Sequence, residues 1–366
     1  MKRVLTIILA IVLVASLAAG CGGNSSSSGN SASSAPSSSA SAPESSAPQV
    51  VHKLNFSLGD PASSIKARFY QGLADKTREA TNGGLDITIH SGGTLFSHLE
   101  VREGVLSGAA DMGWFCTPWA SGQYPLAEVF NLPLQYGNHR ATTYAFNELY
   151  KRSPELQAEM SDIKMMHLYT GPTNHLFSKT SFTEPDDIRG YQVRSMTGGP
   201  ATCLTAWGAS PILIGPGDIY ESMDKGVVQA FAFEWSGIDS NTLYEVFDYA
   251  ILIPFFCNPF IIMMNNDSYN KIPAEYKAAF DEIWCSEQTA YDFTEVFIGD
   301  NEHGRNIALN DYGIQEVVPN TAAFKVFADQ LASEWVDAHK TASFDAQAYF
   351  DLAQELYQEG CRLYPE

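Results

Sequence analysis

From His52 onward the chain switches repeatedly between two spacings of apolar residues, and this switching restricts the fold more than any other feature. "HKLNFSLG" and "LDITIH" alternate apolar and polar residues, the two-residue period of a half-buried strand. Between them, Ser63 to Ala80 places Ile65, Phe69, Leu73 and Ala74 on one face at helical spacing and stops at "TNGG". Phe96 to Leu106 reads as a further helix and Ala109 to Phe115, "AADMGWF", as a short buried strand. Strands alternating with helices predict βαβ units and largely parallel sheets.

The pattern then starts again. "YQVR", a helix from Ala201 to Trp207, "SPILIG", a helix beginning near Asp218 and "VVQAFAF" make a second set that needs a sheet and core of its own. "NPFIIMMN" follows as a strand whose place in the order returns the chain to the first lobe. "KIPAEYKAAFDEIWCSEQTAYDFTEVF" keeps helical spacing throughout, with Pro273 at a first-turn position, and is expected as one long helix linking the lobes. Two more helices are expected, from about Thr321 to His339 and Asp345 to Leu363. A chain of this length exceeds what one hydrophobic core usually serves, which also argues for two lobes.

Lys2 and Arg3 precede an uncharged apolar run from Val4 to Ala19, shorter than a spanning helix and shaped as a secretory signal over residues 1–20. The small residues before Cys21 in "SLAAGC" resemble a bacterial lipobox, in which the cysteine carries the lipid and becomes the mature N-terminus. Residues 21–49 are almost entirely Ser, Ala, Gly and Pro, too poor in apolar surface to offset the entropy of ordering them, and are expected as a flexible tether. The formal net charge of -20 argues against nucleic acid or anionic lipid as partners. Cys116, Cys203, Cys257, Cys285 and Cys361 are odd in number and have no paired spacing, so they are read as buried apolar residues, with one bridged pair left open.

No local motif for catalysis is present. The histidines show no H-E-x-x-H or other ligand spacing, and there is no G-x-S-x-G, Walker loop or G-x-G-x-x-G, so the chain is read as a non-enzyme.

The stretch from "PDDIRGYQVR" through "WGASP" to "DIYESMDKGVVQA" closely resembles the signature region of the solute-binding subunit of TRAP (tripartite ATP-independent periplasmic) transporters, the DctP-like family. The likeness extends to "GGTLFSHLEVREGVLSGAADMG" and "FNLPLQYGN" upstream and to "LYEVFDYA" and "MMNNDSYNKIPAEYKAAF" downstream. The resemblance implies an α/β, two-lobed periplasmic-binding-protein-like fold, with a mixed, largely parallel sheet in each lobe and a long connecting helix. The lobes fall at 50–173 plus 260–300 and at 174–259 plus 301–366. It also implies capture of an organic acid between closing lobes and delivery to a TRAP membrane permease, from a position anchored to the membrane by the N-terminal lipid. An ABC-importer or receptor-linked binding protein, or an extracytoplasmic enzyme on organic acids, remains the alternative.

In that family a strand-end arginine grips the ligand carboxylate, and the matching residue is Arg194. A guanidinium suits this task because its fork of donors meets a carboxylate in two parallel bonds. The Gly198–Pro200 turn behind it is expected to let the ligand approach. One branch of the family holds a cation beside the ligand through a Glu-Trp pair, which matches Glu234 and Trp235 in "EWSGID"; its other polar positions fall at Asn174 and Asn258. A hard cation such as Na or Ca wants several oxygen ligands, and Glu234 supplies one carboxylate. Glu234 is therefore open to three roles: cation ligand, direct partner of a ligand hydroxyl or ammonium, or structural acceptor. Trp114, Phe233 and Phe256 belong to a crowd of aromatic residues at predicted strand ends, favouring a ligand with an apolar or aromatic body.

Overall fold

In the computed structural model, which describes residues 51–365, the seven strands read from the sequence are joined by four that it did not single out, giving eleven among the described residues. These are β1 (His52–Ser57), β2 (Leu85–His90), β3 (Met112–Cys116), β4 (Lys164–Thr170), β5 (Asn174–Ser178), β6 (Gln192–Arg194), β7 (Ser210–Ile212), β8 (Ala230–Phe233), β9 (Tyr249–Phe256), β10 (Pro259–Met264) and β11 (Gln315–Val317). The signal, Cys21 and the Ser/Ala/Pro tether lie outside the described residues.

Two sheets result, ordered β2-β1-β3-β10-β4 and β11-β9-β5-β8-β6-β7. In each, a single strand runs against all the others: β10 in the first and β5 in the second. The sheets are thus mixed yet largely parallel, and "PFIIMM" is buried along its whole length because β10 lies inside a sheet covered on both faces.

The two opposed strands belong to the crossings between the sheets. The chain leaves β4 at Thr170 for β5 at Asn174 and returns from β9 at Phe256 to β10 at Pro259, and the crossings are bonded by Gly171 N–H to the Asn258 carbonyl at 2.8 Å. Each return strand pairs beside its predecessor in both sheets, so the hinge is a continuous two-stranded strap.

The long helical run is divided. Ala274–Trp284 ends where His167 Nδ1 takes the Trp284 carbonyl at 2.8 Å, and Ser286 then caps a second helix, Glu287–Asn310, by accepting from Thr289 N–H. The second helix packs on β4 of the first sheet and on the helix Trp235–Ser240 beyond β8 of the second. A Cβ at Gly304 would lie 2.4 Å from the Trp235 carbonyl oxygen, so the two helices meet there only because the residue is glycine.

Sequence order places the last two helices with the second sheet. Thr321–His339 does pack on Gly199–Ala206 beside that sheet, but Ala346–Leu363 packs on His139–Arg152, adding Leu356 and Tyr357 to the core around Phe130 and Phe146. The physical reason is its strongly one-sided apolar face, which finds a matching face on His139–Arg152 behind the first sheet. No helix among the described residues is long and apolar enough to cross a membrane.

Two buried histidines tie the first core together: His167, and His139, which hydrogen-bonds the Thr170 carbonyl. Burial pulls both pKa values down to about 4 from 6.5. A histidine depressed on folding contributes stability that is present above its unfolded pKa and lost as pH falls through the folded one. The melting temperature is therefore expected to fall between pH 6.5 and 4, and His167→Gln is expected to flatten part of that slope in a pH series of thermal melts.

Candidate functional site

Arg194 ends β6, paired with Ile212 of β7 on one side and Phe231 of β8 on the other. Its side chain is 0% exposed. Nε donates to the Ile214 carbonyl at 2.9 Å and Nη1 to the Ala232 carbonyl at 2.7 Å, which locks the guanidinium plane. Nη2 is buried without a partner, and among the described residues no carboxylate forms an ion pair with Arg194. Burial lowers its pKa to about 10, against the pull of Glu234. A guanidinium stays charged under these conditions, so the structure holds a desolvated cation with one nitrogen left without a protein partner.

Arg194 lines a cavity between the sheets. The cavity lies beyond the carboxyl ends of β1, β3, β6 and β8, where open α/β sheets gather ligands. Phe233 ends β8 with its ring 4.8 Å from the guanidinium carbon, and Glu234 follows as N-cap of Trp235–Ser240. From the first lobe, the Trp119 ring lies 5.9 Å from the guanidinium carbon of Arg194 and stacks on His98 at 5.2 Å.

A second charged pair faces Arg194 across the cavity. Lys66, in the first turn of Ile65–Ala80, bonds Asp60 Oδ1 at 2.8 Å and lies over the Trp114 ring at 4.8 Å. Burial alone would lower the pKa of Lys66 and raise that of Asp60. Asp60 and Glu234 outweigh it for the lysine, and Lys66 and His98 for the aspartate, so both stay charged. Burial raises Glu234 above the usual carboxylate range, with Lys66 and then Arg194 opposing. The cavity thus brings the charged Arg194, Lys66 and Asp60 together with the buried carboxyl of Glu234, drawn from both lobes.

Of the residues singled out from the sequence, Arg194, Glu234, Phe233, Trp114 and Asn258 line this cavity. Trp235, Phe256 and Asn174 do not. Trp235 turns its indole into the second core against Phe177. Phe256 packs on Phe255 in the core, and Asn174 lies in the hinge, its Nδ2 near the Pro172 and Phe256 carbonyls. Glu234 is the N-cap and Trp235 the first residue of the helix after β8, and that helix start carries the indole into the second core while the Glu234 side chain stays at the cavity. Asp60, Lys66, His98 and Phe260 were not foreseen. The helix expected from Phe96 begins only at Val101, which leaves His98 in a loop over the cavity, and Lys66 reads in sequence as an ordinary exposed helix residue.

A hard cation does not fit these residues. Glu234 is the only carboxylate of the proposed set, the Trp235 carbonyl packs against Gly304, and Lys66 and Arg194 already place two positive charges beside Glu234. Among the described residues no group of three or more His, Cys, Asp or Glu side chains is placed to hold a metal. The cysteines at 116, 203, 257, 285 and 361 are unbridged.

The Gly-Gly turn also has a different task from the one expected. Gly198, at φ 70°, would bring a Cβ to 3.0 Å from Ser121 Oγ, and a Cβ on Gly199 would lie 3.1 Å from Pro133 Cδ. Thr197 Oγ1 donates to the Pro118 carbonyl at 2.5 Å. The turn fits the second lobe against the first rather than opening a path to the ligand.

The family model for bacterial extracellular solute-binding protein, family 7 (DctP), matches residues 56–334. The chain belongs to the DctP family. A solute-binding protein of Sulfitobacter sp. is 30% identical over 122 residues, which are 33% of this chain and 37% of that relative. Among solved structures, a TRAP solute-binding protein from Rhodoferax ferrireducens with copurified benzoate superposes with a TM-score of 0.79 at 20% identity, covering 86% of this chain and 99% of the other. A marine metagenome TRAP solute-binding protein specific for aromatic acid ligands, in complex with 3-hydroxybenzoate, gives 0.78 at 20% identity over 85% and 99%. These likenesses establish the two-lobed DctP fold.

Proposed function

We propose that this DctP-family protein captures an organic acid between its lobes, with the carboxylate on Arg194, and delivers it unchanged to a TRAP-type permease. The observation that carries the proposal is the buried Nη2 donor of Arg194, which has no partner and no counterion in a cavity walled by Trp114, Trp119, Phe233 and Phe260. A carboxylate accepting from Nη2 would neutralise a desolvated charge in a medium where that interaction is strong. The benzoate and 3-hydroxybenzoate held by the two fold relatives support an aromatic or similarly apolar body. Lys66 supplies the positive charge beside Glu234, so the reading requires no bound cation. It requires no chemistry either: burial holds the Cys116 thiol, which lines the cavity, well above its ordinary pKa and therefore protonated.

In this reading Cys21 carries the lipid, and the segment to residue 49 lets the folded part work in water near the membrane outside the cytoplasm. Thermal melts against a panel of aromatic and aliphatic carboxylates test the central claim. At a hundredfold excess over its dissociation constant, a true ligand should stabilise the protein by about 2.7 kcal/mol and be recovered chemically unchanged. A panel that leaves the melt unmoved, or an acid recovered as product, would remove the proposal.

A further inference from the structure

The cavity describes its ligand beyond the carboxylate. Arg194 Nη2 is a donor waiting for an acceptor, but Asp60 Oδ2 and Glu234 Oε2 are buried acceptors waiting for donors. A ligand that excludes water from this space satisfies either oxygen only by bringing an N–H or O–H of its own, and an unmatched buried acceptor is costly.

Lys66 decides which donor fits. Its Nζ gives one N–H to Asp60 Oδ1 and bonds no other acceptor among the described residues, so the ammonium also has donors to offer. A second ligand carboxylate would accept from Lys66 but would meet Asp60 and Glu234. A ligand ammonium would donate to either carboxylate but would meet Lys66. A hydroxyl satisfies both, because its O–H donates while its lone pairs accept. Around Lys66 the wall is aromatic, with Trp114 at 4.8 Å, Phe297 at 5.3 Å and Phe260 at 6.0 Å from Nζ. That wall suits a flat apolar ring.

We infer that the ligand is a monocarboxylic acid with an aromatic ring and a hydroxyl group, the hydroxyl accepting from Lys66 of the first lobe and donating to one acid, Asp60 of the same lobe or Glu234 of the second. This rests on the reading of Arg194 as the carboxylate anchor. It makes the lysine and the accepting carboxylate specificity determinants, with the arginine common to any acid the site accepts.

Titration calorimetry on the full chain with benzoate and the isomeric hydroxybenzoates, methoxybenzoates and benzenedicarboxylates tests it. At least one hydroxybenzoate should bind tenfold or more tighter than both benzoate and its own methoxy counterpart, which accepts but cannot donate. Glu234→Gln or Asp60→Asn should cut that ratio at least threefold. Since the ligand series alone compares donor with no donor on the unaltered protein, a variant that fails to fold does not remove the test. If benzoate, a methoxybenzoate or a dicarboxylate binds as tightly as every hydroxybenzoate, or if the ratio persists unchanged in folded variants, the inference fails while Arg194-dependent benzoate binding leaves the carboxylate reading standing. If no acid in the series binds, both fail.

Discussion

Replacing Arg194 by alanine is expected to weaken acid binding at least ~100-fold, equivalent to about 2.7 kcal/mol, with the fold retained. Truncating one partner of a desolvated, hydrogen-bonded charge pair typically costs about 2–5 kcal/mol, because the other charge is left buried and alone. Two opposing effects keep the ligand-free fold close to its original stability. The Ile214 and Ala232 carbonyls lose their donor, but a buried cation with no counterion also disappears. Arg194→Lys keeps the charge and loses the fork that holds both carbonyls and the ligand at once, so its affinity is expected to fall between the two. Calorimetry paired with thermal melts of the ligand-free proteins reads this. Undiminished binding by a folded Arg194→Ala variant would end the carboxylate assignment.

Gly198→Val is expected to lower affinity tenfold or more although residue 198 does not line the cavity. The glycine sits at φ 70° and ψ -138°, outside the regions a side chain tolerates, where one costs roughly 1–3 kcal/mol, and a new Cβ meets Ser121 Oγ of the facing lobe at 3.0 Å. Arrangements in which the lobes pull apart escape this contact, so the valine shifts the population away from the form that seals the cavity, and the apparent affinity falls by the competent fraction. Small-angle scattering at saturating ligand should show the variant more extended than the unaltered protein. Matching affinity and matching scattering would mean that the turn plays no part in closure.

Seven of the eleven strands were legible because spacing along the chain reports one-sided burial, which elements packed in layers require, whereas β4, β5, β9 and β11 were not singled out. The signal held even where the chain doubles back: "PFIIMM" reads as an all-apolar strand, and β10 is buried throughout inside the first sheet. Spacing could not show that Trp284 gives its carbonyl to His167, which divides the long helix. Nor could it show that Ala346–Leu363 turns to the first lobe, since an amphipathic helix declares that it has a partner without declaring which one.

The site divides along the same line. Arg194 and Glu234 were identifiable because their surroundings in sequence carry a family resemblance, and Trp114 because it stands among aromatic residues at predicted strand ends. Lys66, Asp60 and His98 carried no local signal. Each comes from a different segment after β1 or β2, and they form a site only because those segments converge above the carboxyl edge of one sheet. Trp235 carried the same claim from resemblance as Glu234 and lost it because the helix it opens packs its indole against Phe177.

What the sequence determined by itself, then, was the layered α/β architecture and the presence of a strand-end arginine, because both are written in residues near one another along the chain. Tertiary structure decided what that arginine faces. Burying its charge beside Glu234, and bringing Lys66 and Asp60 across from the other lobe, depends on contacts between segments far apart in sequence, whose energies exist only once two sheets have closed over the same cavity.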